Sequence, residues 1–325
     1  MPLSEFQLIQ HYFQAHAAGR DDVVLGIGDD AALVTPHPDC ELVLAIDTLV
    51  AGVHFPLDTD AADIGYKLLA VNLSDLAAMG AEPSWMTLAL TLPESDPQWL
   101  EKFSQGLFEL ADQYGVAIIG GDTTRGPLTL SLQAHGQLPG GSALQRSGAR
   151  PGDSVFVTGV LGGAAIALAA LQGEFELSPD EMDHCRARLD RPTPRLAVGQ
   201  ALRGIATAAI DISDGLMADL GHIAGQSGVG AEIVADQLPL DVIESASLSA
   251  ERHRQLALTV GDDYELCFTA PDSAIEKIRA IAFSSDCSIT EIGKITASES
   301  VRVVDWQGKP IELQLDGYQH FPEQK

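Results

Sequence analysis

Apolar positions along the chain alternate between two periods. Phe6, Ile9 and Phe13 lie on one helical face behind Ser4, which can cap that helix. Leu42–Ile46 is a short apolar run that reads as a strand ending at Asp47. From Ala61 to Met79, Ile64, Leu68, Val71 and Leu76 recur at helical spacing, and Gly80 stops the run. Asn72 and Asp75, three apart, share a face of that helix. A strand, Trp85–Leu92, closes at Pro93, and a helix follows over Asp96–Tyr114 with Gly115 as its stop. Val116–Ile119 reads as a strand that delivers Gly120, Gly121 and Asp122 at its C-terminal end, and Leu128–Leu138 as another.

Periodicity then fails. Pro139–Asp153 is rich in Gly, Pro, Ser and Arg, and a domain boundary is expected there. The expected organisation is a domain over 1–138, a linker over 139–153 and a second domain over 154–325. The second half restarts with a strand, Ser154–Thr158. Helices are expected near Leu161–Leu171, Pro179–Leu189 and Leu196–Arg203. Strand Ala208–Ile212 leads into the loop DISDG and then helix Leu216–Ser227. Strand Tyr264–Thr269, helix Asp272–Phe283 and strands near Ile289–Ile295 and Val301–Val304 complete the pattern. Strands and helices mixed in both halves mean an α/β (α+β) architecture in two lobes.

Composition narrows the function class. The 325 residues carry a formal charge of −27, which argues against nucleic acid as a partner. No apolar run reaches the length of a membrane span, and the N-terminal residues lack the basic flank and apolar core of a signal peptide. Cys40, Cys185, Cys267 and Cys287 are scattered without metal spacing and read as thiols of a reducing cytoplasm.

The acidity is not spread evenly. Carboxylates recur beside glycines or at strand ends in GIGDDAA (Gly26–Ala32), AIDT (Ala45–Thr48), NLSDLAAMGA (Asn72–Ala81), IGGDTT (Ile119–Thr124), DISDG (Asp211–Gly215) and GDDYEL (Gly261–Leu266). Two carboxylates about 4 Å apart repel by about 4 kcal/mol at an effective dielectric of about 20. Such a cluster persists where cations neutralise it, and hard oxygen ligands select Mg²⁺ or Ca²⁺. Singly, each motif reads as a turn or cap.

GIGDDA fits the spacing of a dinucleotide fingerprint, but the prolines that follow and the next strand exclude the required helix. There is no P-loop, no protein-kinase signature set and no nucleophile elbow. A nucleotide would have to be held through Mg²⁺ bridges, backbone N–H groups of Gly120, Gly121 and Gly215, and the helix start after Gly215.

The ordered set GDDAA, DTLVAGVHF, NLSDLAAMGA, IGGDTTRG, RSGARPGD, DISDGL, DYELCFT and GYQHF resembles the thiamine-monophosphate kinase family, over about Phe6–Phe321. That family sits in a larger group with aminoimidazole ribonucleotide synthetase, selenophosphate synthetase and a hydrogenase-maturation carbamoyl dehydratase. The resemblance implies transfer of the ATP γ-phosphoryl group to the phosphate of thiamine monophosphate, in the cytoplasm. It implies a two-lobed aminoimidazole ribonucleotide synthetase-like fold. The N-terminal domains of a homodimer would pair into a β-barrel, beside a C-terminal α/β domain, with ATP near the subunit interface. It places several Mg²⁺ ions on Asp30, Asp47, Asp75, Asp122, Asp211 and Asp214, with Thr48 beside them. ATP contacts fall on Gly121, Arg146 and Ser213, and substrate contacts on His54, Asp262 and Tyr318. No residue is expected to act as a strong base.

Two positions depart from the family pattern. GDDYEL stands where the family usually has GEDYEL, so Asp262 is one methylene shorter. Tyr318 stands where Trp is frequent, and either ring can stack on a flat heterocycle. Selenophosphate synthetase is disfavoured because no Cys or Lys precedes Gly26. The hydrogenase-maturation relative is disfavoured because the chain ends HFPEQK without Cys. The purine enzyme is disfavoured because it would lack the GVHF and GYQHF features. A non-catalytic Mg–nucleotide sensor is the alternative from another class. Asp29 and Asp263 are expected to be structural.

Overall fold

The computed structural model describes residues 5–14, 19–245 and 247–312. The chain divides into two compact units, one of residues 1–76 with 81–143, the other of residues 77–80 with 144–325.

The first unit begins with a short helix, α1 (Glu5–Leu8), that continues as a π-helical turn over Ile9–Phe13. A small antiparallel pair follows, β1 (Val23–Leu25) and β2 (Leu33–Val34). Then come β3 (Cys40–Val50), α2 (Ala61–Ala78), β4 (Glu82–Leu92), α3 (Pro97–Tyr114), β5 (Ala117–Arg125) and β6 (Thr129–Pro139). The last four strands form one sheet in the order β3-β6-β4-β5, in which only β4 and β5 run parallel. α3 is the crossover that parallel pairing requires. Its ends are written locally. Asp96 accepts from the amides of Gln98 and Trp99, Pro97 occupies the first turn, and Gly115 at φ 64° stops the helix. α2 and α3 cross closely because Gly65 and Gly106 carry no side chain. A Cβ on either would collide with the carbonyl of Phe103 or Ala62.

Leu88, Leu90, Leu130, Leu132 and Ala134 are buried on one side of this sheet. Alternation puts their neighbours on the other side. There β3 leaves Leu42, Leu44 and Ile46 48%, 57% and 64% exposed.

The second unit contains β7 (Ser154–Thr158), α4 (Gly163–Leu171), α5 (Pro179–Asp190), α6 (Leu196–Ala201), β8 (Ala208–Asp211), α7 (Leu216–Ser227) and β9 (Gly230–Val234). It continues with α8 (Ala250–Thr259), β10 (Leu266–Ala270), α9 (Ile275–Ser284), β11 (Ile289–Thr296) and β12 (Val301–Val304). Its six strands are ordered β12-β9-β11-β7-β10-β8, antiparallel except for β12 beside β9. Val155, Val157, Ile210, Leu216, Leu220, Ile233 and Ile292 form its main core. α5 starts with a full capping box, Ser178 and Glu181 exchanging hydrogen bonds.

The mixed α/β class agrees with the pattern of the sequence. Several elements differ in extent. β3 does not end at Asp47 but runs to Val50, and β5 carries on through Asp122 to Arg125. Both continue because β6 and β4 supply hydrogen-bonding partners along their whole length. β1, β2, β9 and α8 have no counterpart among the expected elements.

Candidate active site

In the first unit, a cavity of about 670 Å³ opens at the β5 edge of the sheet. Its walls include Phe13, the loop Gly26–Ala32 and the stretch Gly120–Thr123, so Asp29, Asp30, Gly121 and Asp122 share it. Asp30 and Asp122 are exposed. Asp29 accepts the amide N–H of Asp30 at 2.8 Å, which fixes the turn carrying Asp30. Gly121 lies flush against β4, where a Cβ would strike the Leu88 carbonyl. Only glycine lets the backbone sit there.

Asp47 and Thr48 lie elsewhere. Thr48 is opposite Ser131, Ser131 opposite Ala89, and Ala89 opposite Asp122. Three strand spacings separate the two ends of this row, about 14 Å between backbones. Thr48 donates to or accepts from Ser131 Oγ at 2.6 Å. Asp47, next in the strand, points to the opposite face of the sheet. Strand register thus sets Asp47 and Asp122 on opposite faces of the sheet, their backbones three strand spacings apart.

Asp75 is half-buried on α2. One turn earlier, Asn72 is fully buried, donates from Nδ2 to the Leu68 carbonyl at 3.0 Å, and leaves Oδ1 buried without a hydrogen bond among the described residues. His54 follows β3. Its Nδ1 accepts the Val50 amide at 3.0 Å, so the neutral ring carries its proton on Nε2. Its carbonyl accepts from Lys67 Nζ at 3.4 Å, and Lys67 is only 1% exposed.

The second unit gathers its residues more tightly. β8 ends at buried Asp211, and Ser213, Asp214 and Gly215 form the loop into α7. Asp219, on the first turn of α7, accepts the amides of Ser213 and Asp214, both at 3.1 Å. Burial, and then the charge of Asp211, push the Asp219 carboxyl up to about 7. Asp219 was not among the expected site residues. Its signal was an acid in the first turn of a helix that follows a loop with orphan N–H groups.

Asp262 comes to the same place. Its amide donates to the Ser213 carbonyl at 3.0 Å, and the Tyr264 amide donates to Ile212 at 2.8 Å. Gly261 packs so closely that a Cβ would collide with the Ser213 carbonyl. Asp263 is turned toward the start of α4. Its Oδ1 accepts the Gly162 amide at 2.9 Å at the start of α4, and burial raises its carboxyl well above the ordinary range. Arg146 is exposed, one residue past Gln145, whose carbonyl accepts the Ala209 amide of β8 at 2.9 Å. Tyr318 lies outside the described residues.

Among the described residues, no three His, Cys, Asp or Glu side chains stand close enough to hold a metal by themselves. The donors nevertheless suit a hard cation. In the first unit they are the carboxylates Asp29, Asp30 and Asp122, exposed in one cavity, and the buried Asn72 carbonyl; in the second they are the crowded acids Asp211, Asp214 and Asp219.

Residues 28–138 match the AIR synthase related protein N-terminal domain, and residues 150–305 its C-terminal domain. The thiamine-monophosphate kinase of Salmonella typhimurium is 48% identical over 323 residues, 99% of each chain. The chain belongs to the thiamine-monophosphate kinase family. A crystal structure of the thiamine-monophosphate kinase from Stenotrophomonas maltophilia is 49% identical, with a TM-score of 0.85 over 96% of this chain and 99% of that one. Another family structure, AaThiL complexed with AMPPCP and TMP, is 33% identical, with a TM-score of 0.75 over 99% of both chains. Membership extends over both units and includes every motif carrying the acids described above.

Proposed function

We propose that this protein transfers the γ-phosphoryl group of ATP to the phosphate of thiamine monophosphate, giving thiamine diphosphate and ADP. The observation that carries this reading is the 48% identity to thiamine-monophosphate kinases over 99% of the chain. The relative solved with AMPPCP, an ATP analogue, and TMP supports the same pair of substrates.

The chemistry asks little of an acid or base. A phosphate oxygen of the acceptor attacks the γ-phosphorus in line, the new O–P bond forms, and the bond to the β-phosphate oxygen breaks as ADP leaves. The attacking oxygen is already an anion, so positioning and neutralisation of charge dominate. When bound, Mg²⁺ ions would neutralise the polyphosphate oxygens, held by Asp30, Asp47, Asp75, Asp122, Asp211 and Asp214 with Thr48 beside them. In this reading Gly121, Arg146 and Ser213 contact ATP. His54, through its Nε2 proton, Asp262 and Tyr318 contact thiamine monophosphate. Residues 1–138 form the nucleotide and dimer domain, and residues 154–325 the second domain after the linker.

The reading includes a homodimer. Three apolar residues in alternation on the outer face of β3, an edge strand, are what a second copy would cover. Ile46→Asp should shift the mass seen by light scattering from the dimer to 34.4 kDa. A wild-type monomer at micromolar concentration would remove the dimer from the proposal.

Incubation with Mg²⁺, ATP and thiamine monophosphate, followed by chromatography for thiamine diphosphate, tests the activity. Tight ATP binding with no product from this acceptor would leave a nucleotide sensor instead of a kinase.

A further inference from the structure

The turn Gly261–Tyr264 is held in a conformation that its residues do not favour. Asp262 stands at φ 71° and Tyr264 at φ 49°, both in the left-handed region. Side-chain-bearing residues, a bulky aromatic above all, persist there only where the surroundings hold them. Three sets of contacts do so. The amides of Asp262 and Tyr264 are tied to Ser213 and Ile212. Glu265, only 3% exposed, is gripped at both carboxylate oxygens by Arg195, at 2.6 and 2.5 Å, and also accepts from Thr158 Oγ1. The Thr158 hydroxyl oxygen in turn accepts the Leu266 amide at 2.8 Å. The strained turn is thus anchored on both sides.

This conformation brings the Tyr264 hydroxyl to 3.1 Å from Asp262 Oδ1. The contact bears on the rotation of the Asp262 carboxylate.

We propose that Tyr264 is a positioning residue for thiamine monophosphate. It donates a hydrogen bond to Asp262 Oδ1 and aims the Asp262 carboxylate at the substrate, with Arg195–Glu265 as the anchor of the turn. The proposal rests on the kinase reading and on the place of Asp262 in it. Asp262 is the shorter acid at this position, and the Tyr264 hydroxyl bears on one of its two oxygens.

The test is a double-mutant cycle with Tyr264→Phe and Asp262→Ala, read as KM for thiamine monophosphate and KM for ATP, with thermal melts alongside. Tyr264→Phe should raise KM for thiamine monophosphate by about tenfold, the scale of one hydrogen bond to a charged group, and leave KM for ATP in place. In the Asp262→Ala background the same change should add nothing. An unchanged KM in Tyr264→Phe, or an equal loss in both backgrounds, overturns the proposal while wild-type turnover keeps the kinase reading intact. An Asp262→Ala variant with wild-type KM also overturns it. Absence of product from the wild type removes the kinase reading and this proposal with it.

Discussion

The two units hold their acids differently. In the first, Asp30 and Asp122 stand exposed around an open cavity, placed by a turn and by the edge strand β5. In the second, the Asp211–Gly215 loop is braced by the buried carboxylate of Asp219 and clamped to the Gly261–Tyr264 turn. The first arrangement leaves its charges in water, where repulsion is weak and a cation can enter. The second is organised before any ligand arrives, and its strain shows in the raised Asp219 carboxyl and the left-handed Asp262 and Tyr264. Activity and stability should therefore separate in the first unit and move together in the second.

The largest effect is expected where the clamp has no room. Gly261→Val drives a side chain into the Ser213 carbonyl, and should cost about 3 kcal/mol of stability and abolish turnover. Urea unfolding with a turnover assay checks both. A stable, active Gly261→Val would show that the two loops are not clamped. Next in size is Asp122→Asn, whose turnover should fall by about a hundredfold or more. Its melting temperature should stay at the wild-type value, because the side chain is exposed. A matching fall in melting temperature would erase the contrast between the units.

Asp219→Ala comes third. It leaves the Ser213 and Asp214 amides without their acceptor and should cost about 1–3 kcal/mol, with turnover falling in parallel. Loss of stability alone, with normal turnover, would separate the brace from the site.

The smallest effect concerns the ion pair of Asp22 with Arg20 in the first unit. Asp22 accepts from Arg20 at 2.8 and 3.0 Å and from Trp85 Nε1 at 3.1 Å. The Arg20 guanidinium holds the Asp22 carboxyl below its ordinary range. A depressed carboxylate contributes stability above its unfolded pKa, and that contribution is lost as pH falls through the folded value. Melts of wild type and Asp22→Asn should differ by about 1 kcal/mol or less at neutral pH and converge in acid below pH 3.8. A gap that widens in acid would contradict the sign.

How legible each part was depends on the range of its cause. α3 could be read because Asp96, Pro97 and Gly115 act on their own neighbours. The ends of β3 and β5 could not, since the strands last as long as β6 and β4 pair with them. α8 was missed because its buried residues, Leu256–Thr259, are bunched at one end instead of forming a stripe. Asp219 was missed because its partners are backbone amides, which every residue carries, so that only its place in the first turn of α7 marks it.

The sequence by itself determined the mixed α/β class, the order of the acidic motifs along the chain and the family to which they belong. Those depend on residue types and on order along the chain. Only the tertiary structure decided how the acids are grouped: Asp30 and Asp122 line one cavity, Asp211 and Asp214 flank Asp219, the Asp262 backbone is tied to Ser213, and Asp47 lies on another face of its sheet. The reason is physical. Strand register and loop clamps are sums of hydrogen bonds and close contacts between distant segments, and one residue of slip would turn Asp47 and Thr48 each to the other side of the sheet.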